Sequence, residues 1–407
     1  MTKRSQDVYT PSPKRPSVNT AGLADLFPYY AGFSYEWACD LLSCIEPTGN
    51  MVVLDPWNGS GTTTLAAQSK GLKAIGADLN PVANIVAKLR ASHKNEACGE
   101  LEPPTTSNAR VPDVDPLCAW FDPVTAARLR QWSQYAGTEA SSESAACLVA
   151  IFRLVRSVTE GFHVSNPTWV RRRRLDEDLV TLDLEELDYL ITKEIQYVRK
   201  RAAEEPDYNT PAYIIHSSAD CLPIRDQTVD VIVTSPPYFT RIDYAVSYSR
   251  ELAVLGIDVG KDRSLRSRLM GTTLIRPSVS LSPQLSSIAS DLLHAINSHP
   301  SRASSGYYIK QARQYLSDLT SSLDELTRVT RENGLLHIVV QDSYYKDIHV
   351  ALADICIAEL QARGWILEAQ KDFIVKRIFT SLNRSAQSYD KGKVSESAIS
   401  LRRAGLR

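Results

Sequence analysis

Two strand–helix units follow one another between Met51 and Arg90, and they leave few folds open to the chain. Met51-Val52-Val53-Leu54-Asp55 is an apolar run of strand length, and Pro56-Trp57-Asn58-Gly59-Ser60-Gly61 is a glycine-bearing loop. Thr62 to Lys70 then reads as a helix stopped by Gly71. Lys73 to Asp78 repeats the strand and Pro81 to Arg90 repeats the helix. Strands joined by crossover helices pair in parallel and need helices on both faces, so the expected class is α/β with a doubly wound parallel sheet.

The rest of the chain, 407 residues in all, is divided by where this alternation lapses. Residues 1–18 are polar, basic and proline-rich and read as a disordered tail. Between 92 and 207 no strand pattern is convincing, whereas Val124–Tyr135, Glu143–Val158 and Leu184–Glu205 have helical periodicity. That range is expected to be a mainly helical insertion. Strands resume at Ala212–His216, Val229–Val233 and Leu335–Val340, with a helix over Tyr315–Val329 that Gly334 stops. Ile348–Arg363 reads as a helix capped by Gly364, and Trp365–Val375 as a pair of closing strands. The sheet domain is therefore drawn from 19–91, 208–255 and 308–385. A second, irregular insertion occupies 256–307, and 386–407 is expected to be a basic tail.

Composition removes several classes. A net charge of −1 excludes a uniformly basic nucleic-acid coat, although local patches remain open. No apolar run has the length of a membrane span and the polar N-terminus lacks a signal core, so a cytoplasmic protein is expected. The seven cysteines form no Cys-x-x-Cys pair, which argues against a zinc cluster or a disulfide framework. His163, His216, His337 and His349 have no ligand spacing, and no metal is expected.

Chemistry concentrates at strand ends. The run Val229–Val233 is cut off by Thr234-Ser235-Pro236-Pro237-Tyr238, because consecutive prolines lack N–H donors and lock φ. A stiff turn is thereby presented at a carboxyl edge, where open α/β sheets bind ligands. A serine hydroxyl, prolyl carbonyls and a tyrosine ring suit a flat ring bearing an amino group, which makes Ser235, Pro236, Pro237 and Tyr238 the candidate catalytic residues. The loop Asp55–Thr64 has glycines that allow close backbone approach at a helix N-terminus. It is neither a Walker A loop, lacking Gly-Lys-Ser/Thr, nor a dinucleotide fingerprint, since Thr64 holds the third glycine position. Asp78 can accept from ribose hydroxyls and Asp220 can meet an adenine ring; each alone is equally a turn or cap residue. Three aspartates at successive strand ends point to a nucleoside cofactor.

With these residues in place, the chain resembles the S-adenosylmethionine-dependent amino-methyltransferases of DNA. Asp55-Pro56-Trp57-Asn58-Gly59-Ser60-Gly61-Thr62 is similar to the family's cofactor motif, with Trp57 in place of a phenylalanine. Asp78-Leu79-Asn80-Pro81 resembles the second cofactor motif and Asp220-Cys221 the third. Phe27 to Ser34, with Tyr29, Tyr30 and Phe33, resembles the element that closes over the methionine end of the cofactor. Ser235–Tyr238 resembles the Ser-Pro-Pro-Tyr form of the catalytic motif, the form associated with cytosine N4. Val339–Ser343 and the Ile348–Gly364 helix resemble the distal half of the fold, while the helical insertion matches nothing in the family. The resemblance implies a Rossmann-like, mostly parallel sheet with a reversed antiparallel closing strand. It also implies S-adenosylmethionine as cofactor and double-stranded DNA as substrate, with base flipping, direct methyl transfer and a restriction or phage-defence partner protein. No Pro-Cys dipeptide is present for carbon-5 chemistry.

The DNA-facing residues are less sharply marked. Arg171-Arg172-Arg173-Arg174 beside Trp169 can grip phosphates, or can be a solvated loop neutralised by Asp176, Glu177 and Asp178. Arg241 and Tyr244 follow the catalytic turn, and Arg266 and Arg268 lie in the second insertion. Adenine N6 methylation, an RNA base methyltransferase and a non-catalytic cofactor- or DNA-binding subunit remain alternative readings.

Overall fold

The computed structural model describes residues 12–14, 22–27, 32–46, 50–91, 103–105, 115–137, 141–162, 169–174, 177–239, 242–281, 285–375 and 394–405. Its strands are β1 Val52–Asp55, β2 Lys73–Asp78, β3 Ala212–His216, β4 Val229–Thr234, β5 Thr330–Gln341, β6 Ser343–Tyr345, β7 Ile348–Val350, β8 Trp365–Ile374 and β9 Ser395–Arg403. Helices α1 Tyr35–Ser43, α2 Thr62–Ser69 and α3 Pro81–Ala91 belong to the first half of the sheet. The insertion carries α4 Pro123–Ala136, α5 Ser142–Val158 and α6 Leu184–Glu204. After β4 come α7 Tyr244–Ser247, α8 Ser249–Val254, α9 Ser264–Arg268 and α10 Ser287–Ser298, then α11 Ile309–Val329 and α12 Leu352–Ala362.

Seven strands form one sheet in the order β3-β2-β1-β4-β5-β9-β8. All pairings from β3 to β5 are parallel, and β9 runs antiparallel to both β5 and β8. The doubly wound, mostly parallel sheet with a reversed strand is therefore present. Alternation along the central strands builds two faces. Val231 and Val233 of β4 join Trp37, Leu41 and Ala66 of α1 and α2 on one side. Ile232 of β4 and Leu54 of β1 join Leu319, Leu323 and Leu326 of α11 on the other. Each such fully buried aliphatic contributes roughly 1.5–3 kcal/mol of transfer energy.

The insertion helices do not form a core of their own. Trp132, Phe152 and Ile191 lie in one cluster with Val86 of α3 and Leu252 of α8. Their starts are set by local chemistry: Asp122, Ser141 and Asp183 accept N–H bonds of the first turns of α4, α5 and α6.

Four expectations are corrected. The 386–407 range is not simply a basic tail, since β9 is the reversed strand between β5 and β8. Its period-2 burial at Ser397, Ile399 and Leu401 outweighs its flanking arginines. Trp365–Val375 is one strand, and its pairing partner is β9 rather than a second strand of the same segment. The 256–307 range is not irregular, because α10 packs Leu292, Leu293 and Ile296 into the core formed with α11 and α12. The 1–18 range is not wholly a free tail: Pro13 is buried and its carbonyl accepts from Ser34 N at 2.9 Å.

Boundaries also move at two places. Ile348–Val350 is a strand of a small hairpin with β6, so α12 starts at Leu352. Gly334 lies inside β5, where a Cβ would stand 2.4 Å from Thr330 Cγ2.

Candidate active site

The loop after β1 is built largely from its own neighbourhood. Asp55, 3% exposed, accepts from Trp57 N at 3.1 Å and from Thr63 Oγ1 at 2.6 Å. It also accepts from Thr234 Oγ1 at 2.6 Å, which ties this loop to the end of β4. Burial pushes the Asp55 carboxyl up to about 6 against the pull of those three donors. Gly61, at φ +88, forms the left-handed N-cap of α2, and a Cβ there would meet Ala87 of α3 at 3.0 Å. Asn58 fills the notch left by Gly76, where a Cβ would stand 2.3 Å from its side chain.

Asp78 ends β2 and faces that loop. Its Oδ2 accepts from Gly59 N at 2.9 Å and its Oδ1 from Asn80 N at 2.8 Å. Enclosure raises its carboxyl to about 6, and the Asn80 and Gly59 donors oppose the shift. Leu79 beside it is anchored through its carbonyl, 3.0 Å from His216 Nε2.

The turn after β4 is held from a distance. Tyr315 of α11 donates its hydroxyl to Pro237 O at 2.7 Å, and its ring meets Phe239 edge-on at 4.9 Å. The Pro237 carbonyl is thus occupied, while Pro236 O and Ser235 Oγ have no hydrogen-bond partner among the described residues. The backbone at Gly32 closes on Ser235 so tightly that a Cβ there would stand 2.1 Å from Ser235 Oγ. Gly271, at φ +78, brings the segment after α9 against Tyr238, with its missing Cβ 3.2 Å from Tyr238 O.

Both constructions open onto one cleft that is continuous with solvent. Pro56, Trp57, Asn58, Gly59 and Thr62 line it from the first loop, with Asp55 at its base. Asp78, Leu79 and the Ser217–Asp220 turn line one end. Ser235, Pro237 and Tyr238 line the other, with Phe33, whose ring is tilted against Trp37 at 5.0 Å between centres. The lining suits a nucleoside: the Asp78 carboxylate can accept from hydroxyls, and Leu79, Trp57 and Phe33 offer apolar faces in the same cleft.

Some expected residues lie behind the cleft rather than in its lining. Ser60 is 4% exposed, and its hydroxyl and carbonyl accept from buried Arg90 at 2.8 and 2.9 Å. Asn80 is buried and caps α3 through Val82 N at 3.1 Å. Gly61, Pro236 and the exposed Cys221 are likewise outside the lining. Tyr29, Tyr30 and Arg241 lie outside the described residues.

Sequence reasoning missed Asp318 and Ser322 of α11, which reach the cleft beside Asp220. Burial brings the Asp318 carboxyl up to about 6, with Arg276 opposing from an ion pair. The available signal was polar residues at Asp318 and Ser322 on the stripe that carries Tyr315 and Leu319, the buried face of that helix.

The basic candidates separate. Arg266 is spent on structure, pairing with buried Asp243 at 2.8 Å, whereas exposed Arg268 and the half-buried Tyr244 line the cleft. Arg171 pairs with Glu177 and Arg172 with Asp258, while Arg173 and Arg174 stay exposed with Glu177 bound to the Arg174 amide. The described residues contain no group of three or more His, Cys, Asp or Glu suited to a metal ion, and no described helix is long and apolar enough to cross a membrane.

No protein-family model matches the chain. It is 25% identical over 284 residues to the type II methyltransferase M.BsoBI of Geobacillus stearothermophilus, covering 60% of this chain and 55% of that one. The chain therefore spans about half the length of the curated relative it matches. Similar solved structures include a SAM-dependent methyltransferase of Methanosarcina mazei, at TM-score 0.32 and 9% identity over 90% of this chain and 97% of that one. Geranyl diphosphate C-methyltransferase of Streptomyces coelicolor is another, at TM-score 0.36 and 8% identity over 91% and 79%.

Proposed function

We propose that the chain is an S-adenosylmethionine-dependent DNA methyltransferase acting on the N4 amino group of cytosine. The observation that carries this reading is the meeting of the Gly59–Asp78 loop pair and the Ser235–Tyr238 turn in one cleft. The likeness to a Geobacillus type II methyltransferase supports it. A cytoplasmic restriction or phage-defence setting belongs to the same proposal.

S-adenosylmethionine would supply a methyl group activated by a positively charged sulfur. Asp78 would accept from the ribose hydroxyls, Leu79 would cover the adenine face, and Asp220 would take the adenine amino group. Ser235 Oγ, which lines the cleft and has no hydrogen-bond partner among the described residues, would accept an N–H bond of the target amino group. Such a bond favours a pyramidal nitrogen and frees its lone pair from the ring. Tyr238 would stack on the base, and the serine hydroxyl can pass the surplus amino proton to water. Most of the acceleration would come from holding the partners in line. A paired base has to leave the duplex to reach this recessed turn. Arg268 at the rim, with Arg173 and Arg174 on the insertion, would meet phosphates.

The test is incubation with methyl-labelled S-adenosylmethionine and either plasmid DNA or RNA, followed by nucleoside analysis. Label in the cytosine of DNA supports the reading. Label in adenine overturns the base assignment, and label in RNA alone overturns the substrate.

A further inference from the structure

One polar group beside the turn has no part in the reaction as described above. Lys14 belongs to the short stretch Ser12–Lys14, which Ser34 fastens through Pro13 O at 2.9 Å. Its ammonium donates to Gln341 Oε1 at 2.9 Å and stands 2.8 Å from Glu396 Oε1. The antiparallel register sets Gln341 of β5 directly opposite Glu396 of β9, so both acceptors sit at one level beside the end of β4. The same nitrogen lies 5.8 Å from the centre of the Tyr238 ring.

The burial of the pair is lopsided. Glu396 is 3% exposed at its side chain, whereas Lys14 is 44% exposed. A carboxylate that deep needs a partner, because an uncompensated buried charge is strongly destabilising. Lys14 gives it one from the solvent side of the wall. Burial pushes the Glu396 carboxyl up and Lys14 opposes that shift. Tyr238 and Glu396 in turn keep the Lys14 ammonium above the usual lysine range, against its partial burial. Tyr238, which lines the cleft, thus has a fixed and partly exposed cation beside it.

Resting on the methyl-transfer reading, we propose that Lys14, fixed by Glu396 and Gln341, reads the ring carbonyl of the base stacked on Tyr238 and so favours cytosine over adenine. With the amino group pinned at Ser235, a base stacked so that its remote edge runs along the tyrosine toward its hydroxyl would bring that edge to Lys14. On its base-pairing edge cytosine presents, after the amino group, a ring nitrogen and then the 2-carbonyl. Adenine presents a ring nitrogen and then a C–H. A cationic donor at the third position therefore finds an acceptor in cytosine alone, and with adenine it faces an apolar edge.

The target site is first located by sequencing DNA methylated by the wild-type protein. Single-turnover transfer is then measured on that duplex and on one whose target is a 2-aminopyridine C-nucleoside, which keeps the amino group and ring nitrogen but lacks the carbonyl. The wild type should lose roughly 10- to 100-fold on the analogue, the worth of one charge-assisted hydrogen bond. Lys14→Met should lose a similar factor on cytosine and nothing further on the analogue, with cofactor binding unchanged. Lys14→Arg should recover part of the rate. A wild type indifferent to the carbonyl overturns the proposal without recourse to any variant. So does a Lys14→Met protein as fast as wild type and equally sensitive to the analogue. If the wild-type product is methyladenine, the cytosine reading falls and this inference with it. If it is methylcytosine and Lys14 has no effect, the inference alone falls.

Discussion

The two ends of the cleft are assembled in opposite ways. At the loop after β1, Asp55 is held by Trp57, two residues away, and by Thr63, eight away. Asp78 is held by Asn80 and by Gly59, nineteen residues back. At the turn after β4, the Pro237 carbonyl is held by Tyr315, 78 residues on, and Ser235 is covered by the backbone at Gly32. The loop after β1 takes most of its supports from nearby residues, whereas the turn after β4 takes its shape from α11, the Gly32 segment and the α9 connection. The Thr234–Asp55 and Thr63–Val233 hydrogen bonds link the two constructions directly.

That contrast can be broken most sharply at Ser235. Ser235→Ala should lower methyl transfer by about 10²- to 10³-fold, the scale of removing one oriented polar partner from a reacting centre. Its S-adenosylmethionine affinity, by calorimetry, should stay at the wild-type value. Parallel loss of cofactor binding would mean that the two ends are not separable.

Asp78→Ala probes the other end. It removes the partner of the Gly59 and Asn80 amides together with the ribose acceptor. Cofactor affinity should fall roughly 10- to 100-fold, with thermal unfolding still cooperative. An unchanged affinity would remove Asp78 from the site.

Tyr315→Phe tests assembly from a distance. The change removes the donor to the Pro237 carbonyl, a half-buried hydrogen bond worth about 0.5–1.5 kcal/mol. Transfer should slow while cofactor affinity holds, because the hydroxyl supports only the turn. Equal effects on both would show α11 to be general scaffolding.

The smallest effect concerns pH. Asp78, raised to about 6, is ionised at neutral pH and protonates as pH falls through that value. Cofactor affinity should weaken by at most tenfold per pH unit below about 6. Stability runs the other way for the same kind of shift. The Asp55 pKa is about 6 in the folded chain against a reference of 3.8, so the folded state holds the proton more tightly. Its contribution is fully present below 3.8 and is lost as pH rises through 6. Thr234→Val, which deletes a donor to Asp55, should move that loss to higher pH, readable in the pH dependence of the melting temperature.

The same contrast explains what was legible in the sequence. The strand–loop–helix units from Val52 to Ala91 are written in adjacent residues, and so were their aspartates and Gly61. The turn itself was legible because two prolines end a strand wherever they stand. Its supports were not, since Tyr315, Gly32, Lys14 and Glu396 meet it only through tertiary packing. Strand β9 was hidden by its polarity: Glu396 and Ser397 are buried there, one beside an ammonium and the other bonded to Asp372 at 2.7 Å. Ser60 misled in the other direction, because a serine in a glycine loop looks like a ligand contact until Arg90 is found on it.

The central claim is that the turn after β4 is the amino-group end of a methyl-transfer site. The most direct measurement is nucleoside mass spectrometry of DNA incubated with S-adenosylmethionine and either the wild-type protein or Ser235→Ala. The account predicts N4-methylcytosine with the wild type and its near disappearance with the variant. Equal N4-methylcytosine from both proteins, or no methylated nucleoside in DNA from either, would contradict it.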